Sequence, residues 1–372
     1  MNVLHIFPSL SPNSGGPTRS VSGLCRALAQ CGVNTTLFVH SPEYDLDEPS
    51  GVRLIKGNGL RIKTVLEETA QVMQEVKPDI VHLHGIWMPS NHIALKCAMK
   101  QGIPYIISTR GMLEPWALNY KKWKKKLAMF FYQRADLKKA VALHATVQSE
   151  AEQIKRLGFT QKIIISPNAI TPPKIMPPRT HRADGKKTIL FLSRIHPVKG
   201  LLSLVEAVAQ LKEKSLFDGW HVEYAGPDYQ NHHNEVRERI ASLQLQNEFS
   251  YLGNLDDEKK WEVYTRSNLF VLPTQTENFG IVIAEALYAE CPVITTKGAP
   301  WQELETHQCG KWIELGVPPL VEALKEMMAL PEEERQRMGR NGKELIENNY
   351  TWEGAAKKMR VAYEDLLVKC HV

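Results

Sequence analysis

The sequence predicts two doubly wound α/β domains, each a parallel sheet covered by helices on both faces. Three observations carry this reading. The 372 residues exceed what one core usually holds and suit two. Short runs rich in Val, Ile, Leu and Phe alternate with segments of helical spacing, the pattern of parallel strands joined by crossover helices. The alternation is broken once, at residues 171–187, where four prolines and a polar, basic tail read as a linker.

The first series of strands is expected at residues 2–8, 35–40, 80–83, 105–109, 143–147 and 162–167. Between the first two, residues 19–30 place Val21, Leu24 and Leu28 on one helical face. A second series follows at 188–194, 221–225, 249–253, 269–273 and 292–296, and residues 352–367 read as an amphipathic terminal helix. The domains are therefore set at 1–172 and 188–351, with a linker at 173–187 and a C-terminal helix at 352–372. In open parallel sheets ligands gather at the carboxyl ends of the strands, so the residues just after each strand matter most.

Composition narrows the class. Hydrophobic residues at 43% and charged residues at 23% are ordinary globular values, which excludes a disordered, fibrous or integral membrane chain. The N-terminus runs directly into a strand without the pattern of a signal peptide, so the protein is expected to be cytoplasmic. No apolar run has the length of a membrane span, and any membrane contact is expected to be peripheral. Cys25, Cys31, Cys97, Cys291, Cys309 and Cys370 are scattered without a CxxC pair and read as free thiols. Residues 1–172 carry 21 Lys and Arg against 12 Asp and Glu, a balance of +9, whereas the remainder carries 25 against 29, or −4. The basic first half suits an anionic partner.

The strongest chemical signal is Glu277-Asn278-Phe279-Gly280 followed by Glu285, after the strand at 269–273 and at the opening of a helix. Carboxylates eight apart, one from the loop and one from the second helical turn, can accept hydrogen bonds from sugar and ribose hydroxyls. Gly280 lets the helix-start amides approach a phosphate. An acidic helix start that only complements the macrodipole fits the same residues equally well when they are taken alone. Arg194 and Lys199 follow the first strand of the second half, where a guanidinium and an ammonium suit a diphosphate. Gly15-Gly16, between the first strand and first helix, permits close backbone approach and is not a GxGxxG fingerprint, which disfavours a nicotinamide or flavin cofactor. His84 ends the strand at 80–83, while His82 is expected on the opposite face, in the core. Thr109-Arg110-Gly111 follows another strand and is placed on an acceptor side.

Two further segments invite a functional reading. Asp45-Leu46-Asp47 spells the DxD of metal-dependent sugar transferases, but it lies in a proline-bounded polar run and reads as a solvated loop. Residues 116–133 space Trp116, Tyr120, Trp123, Leu127 and Phe130 or Phe131 by three and four, with five lysines between 121 and 126. That pattern suits an amphipathic helix on an anionic membrane and equally a helix burying its apolar face in the core. No nucleic-acid module accompanies the lysines, and nucleic acid is not an expected partner.

Taken together, the E-x7-E segment, Arg194 with Lys199, the Gly-Gly loop, His82-Leu83-His84-Gly85 and Tyr350-Thr351-Trp352 resemble the family-four glycosyltransferases of GT-B fold, over nearly the whole chain. The resemblance implies two Rossmann-like domains facing each other across a cleft, with the terminal helix crossing back to the first domain. It implies a retaining transfer from a nucleoside diphosphate sugar without metal or other cofactor. Glu277, Arg194, Lys199 and His84 would be catalytic. Gly15, Gly16, Arg194, Lys199, Glu277, Asn278, Phe279, Gly280 and Glu285 would bind the nucleotide sugar, with Glu285 on the ribose, and His84 and Arg110 would face the acceptor. Asn168-Ala169 departs from the family's usual Asn-Gly. With the basic segment 116–133 on a membrane, the acceptor is expected to be a saccharide, lipid-linked, in surface polysaccharide assembly at the inner face of the cytoplasmic membrane. A nucleotide-sugar 2-epimerase or a catalytically silent nucleotide-binding scaffold on the same fold are the alternatives.

Overall fold

The computed structural model describes residues 1–10, 16–41 and 49–370. The chain divides into two compact units, Met1–Ala169 with Thr351–Val372, and Ile170–Tyr350. Each unit holds one parallel sheet.

In the first unit the strands are β1 (Asn2–Phe7), β2 (Asn34–Val39), β3 (Arg53–Lys56), β4 (Ile80–His84), β5 (Tyr105–Ser108), β6 (Ala142–Ala145) and β7 (Lys162–Ile165). Their spatial order is β3-β2-β1-β4-β5-β6-β7, so the winding reverses between β1 and β4. Register aligns His5 with His82 and His84 with Ser108. The central strands β1 and β4 are almost continuously apolar or histidine because both faces are covered. One helical layer includes Gly16–Gln30 and the terminal helix Trp352–Cys370. Leu24, Leu28, Ala356, Met359, Tyr363 and Leu366 close one core over Val3, Ile80 and Ile106.

The second unit holds β8 (Lys187–Leu192), β9 (Trp220–Ala225), β10 (Phe249–Tyr251), β11 (Leu269–Leu272), β12 (Val293–Thr296) and β13 (Gly310–Ile313). Their order is β10-β9-β8-β11-β12-β13, and the reversal lies between β8 and β11. Before β8, residues 171–186 form neither helix nor strand apart from turns. Two strands, β3 and β13, lie outside the series expected from sequence; both are four residues long and sit at sheet edges.

One expectation fails in detail. The segment 116–133 is not one helix: Pro115–Asn119 ends at Tyr120, Lys121 takes φ 52°, and a second helix Lys122–Ala128 runs into a π-helical turn, Met129–Gln133. A left-handed residue interrupts the hydrogen-bond ladder, so Trp116 and Tyr120 do not share one continuous helix with Trp123 and Leu127.

Candidate functional site

In the second unit the residues singled out from sequence converge at the carboxyl ends of β8 and β11, beside the winding reversal. The loop after β8 ends at Gly200, whose φ is 79° and whose position would put a side-chain carbon 2.1 Å from the Pro273 carbonyl oxygen. Glycine is therefore required where the two loops touch. They are laced by Gln275 N donating to Val198 O at 2.8 Å and Thr274 Oγ1 donating to the same oxygen at 3.2 Å. The result is an ion pair between Lys199 and Glu277, both largely buried. Arg194 is exposed, its guanidinium 5.9 Å from the Tyr229 ring centroid, and it has no carboxylate partner among the described residues.

Glu285 lies in the helix Ile281–Tyr288 and is held from behind. Lys260 Nζ donates to its Oε1 at 2.6 Å and Tyr264 Oη to its Oε2 at 3.1 Å. A carboxylate has about four acceptor positions, so capacity remains for two ribose hydroxyls. Lys260 was not anticipated, because one of two adjacent lysines in a helix of charged residues carries no spacing signal. Gly280 caps that helix with φ 78°. Phe279 requires a correction: its side chain faces inward, packed on Trp301 and Tyr350 with ring centroids 5.3 and 5.5 Å away. An aromatic ring is driven into that apolar pocket, and the Phe279 carbonyl accepts from Trp301 Nε1. Phe279 supports the loop from below, while Glu277 and Asn278 stay partly exposed.

In the first unit, four histidines from three strands form one buried polar cluster. His82 and His84 share a face, their rings 4.3 Å apart, because residues two apart in a strand point the same way; the expectation of opposite faces was wrong. His84 is fully buried and both its nitrogens are engaged, Nδ1 with Arg110 Nη2 at 3.0 Å and Nε2 with His5 Nδ1 at 2.9 Å. The group expected from sequence to be catalytic and acceptor-facing is thus a buried side chain with both nitrogens engaged inside the cluster. His82 meets Tyr363 Oη at 2.6 Å and Ser108 Oγ at 2.7 Å, and Ser108 Oγ meets His144 Nδ1 at 2.5 Å. His144 Nε2 lies 3.0 Å from the Ser166 carbonyl oxygen.

The proton positions follow from the ends of these chains. A carbonyl only accepts, so His144 carries its proton on Nε2 and accepts from Ser108 at Nδ1. Ser108 in turn accepts from His82 Nε2–H, and His82 Nδ1 accepts from the Tyr363 hydroxyl. Likewise a guanidinium only donates, so His84 Nδ1 is an acceptor and its Nε2–H donates to His5. Burial holds all four imidazoles below their ordinary value, His5 at about 3, His144 at about 4, His82 and His84 well below it. Nitrogens of His5, His82 and His84 lie within 4.8 Å of one another, but their lone pairs are spent on this relay, and Arg110 adds a positive charge beside them; the set does not fit a cation.

The Arg110 loop is fixed from beneath by Glu150. Its carboxylate accepts from Thr109 Oγ1 at 2.6 Å, Thr146 N at 2.7 Å, Thr146 Oγ1 at 2.9 Å and the Gly111 amide. Glu150 is invisible in sequence, an ordinary acidic residue in the first turn of a helix. Gly16 opens the helix Gly16–Gln30, whereas Gly15, Asp45 and Asp47 lie outside the described residues.

Comparison with known proteins agrees with this geometry. Residues 14–172 match the description Glycosyltransferase Family 4 and residues 174–345 match Glycosyl transferases group 1. The chain belongs to the group 1, family 4 glycosyltransferases. The glycosyltransferase is 23% identical over 396 aligned residues to a phosphatidylinositol N-acetylglucosaminyltransferase subunit of Arabidopsis thaliana, covering 100% of this chain and 83% of that one. It is 23% identical to a D-inositol 3-phosphate glycosyltransferase of Pseudarthrobacter chlorophenolicus over 79% of this chain and 77% of that relative. A sucrose-phosphate synthase from Thermosynechococcus elongatus superposes with a TM-score of 0.78 at 17% identity, over 99% of both chains. Anabaena HepE, in complex with UDP and glucose, gives 0.78 at 15% identity over 98% of this chain and 100% of that one. The fold is GT-B.

In the segment 116–133 of the glycosyltransferase, Tyr132 packs on His92 and donates to the Trp87 carbonyl, but the aromatic residues of the spaced series are left exposed. Trp123, Phe130 and Phe131 are 64%, 83% and 73% exposed, and Trp116, Tyr120 and Leu127 are exposed too. Lys121, Lys122, Lys124 and Lys126 are exposed among them. Of the two readings open in sequence, burial in the domain core is overturned. No helix among the described residues is long and apolar enough to cross a membrane.

Proposed function

We propose that this glycosyltransferase transfers a sugar from a nucleoside diphosphate sugar with retention of anomeric configuration and without a metal ion. The observation that carries the donor half is the Lys199–Glu277 pair at the β8 and β11 loop ends, with exposed Arg194 in the loop between β8 and Lys199. Glu277 is an acceptor for donor-sugar hydroxyls, Glu285 for the ribose, and Arg194 with Lys199 and the amides around Gly280 neutralise the diphosphate. In the transfer, the bond between the anomeric carbon and the phosphate oxygen breaks and a bond to the acceptor oxygen forms on the same face. The acceptor's proton passes to the departing phosphate, whose negative charge the two cations stabilise. The UDP bound to the structural relative supports a nucleotide in this role.

The acceptor is a saccharide carried on a lipid, and the enzyme works against the inner face of the cytoplasmic membrane in assembly of a surface polysaccharide. Support comes from the exposed aromatic and lysine segment, because aromatic rings favour the bilayer interface and lysines an anionic leaflet.

The test is product formation from UDP-, GDP- and ADP-sugars with lipid-linked saccharide acceptors, in chelator, with the anomeric configuration read by NMR. An inverted product, or activity lost on chelation, refutes the corresponding part. Donor conversion without any acceptor shifts the assignment to an epimerase, and tight donor binding without turnover to a silent scaffold.

A further inference from the structure

The two cations assigned to the diphosphate sit on one short stretch after β8, and a single ring from the loop after β9 bears on Arg194 directly and on Lys199 through His196. The Arg194 guanidinium lies over Tyr229, 5.9 Å from the ring centroid, and the His196 ring meets the same tyrosine at 4.6 Å. His196 Nδ1 accepts from the Val198 amide at 3.0 Å and so caps the turn Pro197–Lys199, which presents the Lys199 ammonium. Burial first, then Arg194 and Lys199, hold this imidazole below its ordinary value, as an accepting nitrogen requires. Tyr229 is itself placed by backbone. Its amide donates to the Ile195 carbonyl at 3.1 Å, the Ile195 amide donates to the Pro227 carbonyl at 2.9 Å, and Ile195 pairs with Asp228 in an isolated parallel bridge. Gly226, φ 134°, lets the loop touch Ser193 where any side-chain carbon would collide with the Ser193 carbonyl, and Tyr251 Oη donates to the Gly226 carbonyl at 2.8 Å. Immediately after Tyr229, Gln230 and Asn231 are both left-handed, φ 56° and 63°, a conformation that costs free energy outside glycine and persists where the surroundings over-determine it.

A carboxylate in this place would hold Arg194 more tightly, but it would take up the charge and the forked donors. A ring face attracts the cation through its quadrupole and leaves the N–H groups at the guanidinium edge free for an oxyanion. Lys199 already shares its charge with Glu277, so Arg194 is the cation of the two whose charge stays available. We propose that Tyr229 is a positioning residue, which orients Arg194 by its ring face and, through His196, the turn that carries Lys199, so that both cations meet the diphosphate already in place. That role rests on the nucleotide-sugar reading above and adds to it the residue that sets the cations. The aromatic face is what acts, and the hydroxyl takes no part.

The experiment is calorimetric binding of UDP, GDP and ADP, and of the corresponding monophosphates, to the full-length wild type, Tyr229→Leu, Tyr229→Phe, Arg194→Met and the pair Tyr229→Leu with Arg194→Met. The wild type is expected to bind at least one diphosphate, Tyr229→Leu to bind it about fivefold more weakly, and Tyr229→Phe to stay within about twofold of the wild type. The loss is expected to be larger for the diphosphate than for its monophosphate. Tyr229→Leu is also expected to cost less in the Arg194→Met background than in the wild type, because part of what it sets is then gone. A loop that is merely loosened would weaken both nucleotides alike. Equal diphosphate affinity in wild type and Tyr229→Leu, a Tyr229→Phe loss that matches Tyr229→Leu, equal losses for mono- and diphosphate, or full additivity with Arg194→Met overturns the proposal and leaves the donor reading standing. No binding of any nucleotide by the wild type overturns the donor reading, and the role of Tyr229 falls with it.

Discussion

Acidification from pH 7.5 to 5.5 is expected to loosen the first unit far more than the second. His5 and His144 are held at about 3 and about 4, and His82 and His84 well below the ordinary imidazole value of 6.5, so all four remain neutral in the fold at pH 5.5. In the unfolded chain each titrates near 6.5 and binds a proton at pH 5.5. The unfolded state therefore binds more protons, and stability falls as pH falls below about 6.5, until the folded values are reached. Each histidine loses about 1.4 kcal/mol over this interval, and the four together roughly 5 kcal/mol. Glu114 works the other way: burial and Glu150 push it up to about 7, so acid relieves a penalty. Being partly exposed, it returns on the order of 1 kcal/mol. His40, outside the relay but also held by burial at about 4, loses about 1.4 kcal/mol more, and a net loss of about 5 kcal/mol is a large share of a domain's usual stability. Hydrogen exchange, corrected for the intrinsic pH dependence, should show protection collapsing in β1, β4, β5 and β6 while β8, β11 and β12 keep theirs. Equal protection of the first sheet at both pH values would refute the neutral relay and the proton assignments built on it.

Three other outcomes are expected. Lys260→Met should destabilise the second unit by about 3 kcal/mol, by leaving the buried Glu285 carboxylate without its cation, and should weaken UDP binding. The pair Lys260→Met with Glu285→Met should regain stability but not binding, and wild-type melting of the single variant would count against the coupling. Tyr363→Phe removes the donor to His82 and should cost about 1–2 kcal/mol, read as a lower urea midpoint of the first unit. Serine at Phe130 and Phe131 should reduce co-sedimentation with phosphatidylglycerol vesicles several-fold and leave phosphatidylcholine vesicles unbound by either form; unchanged sedimentation would remove the aromatic contact from the membrane assignment.

The central strands are legible in the sequence because burial on both faces makes them apolar runs, and the donor-side residues because loop glycines, cations and carboxylates fall immediately after them. The edge strands β3 and β13 are not: each is four residues long, and β3 carries Arg53 and Lys56 at its ends, as an exposed edge tolerates. Glu150 and Lys260 escape because their roles arise from partners distant in sequence, 39 residues away at Gly111 and 25 at Glu285. The break at Lys121 is likewise silent in a hydrophobic pattern, since a single left-handed residue leaves composition unchanged. His82 and His84 differ from these, because their spacing alone, with its period of two, is enough to put them side by side.

The helix Trp352–Cys370 belongs to the unit whose strands are made first. A ribosome therefore finishes the second unit, contiguous from Ile170 to Tyr350, before the first has its full core. Until Met359, Tyr363 and Leu366 emerge, the sheet face over Val3, Ile80 and Ile106 is covered only in part, by Leu24, Ala27 and Leu28, and His82 lacks the hydroxyl that sets its proton. The order of maturation is thus the reverse of the order of synthesis, which departs from the usual N-terminal-first rule. For an enzyme assembled this way, the half bearing Arg110 becomes competent only when the helix from Trp352 onward has been translated.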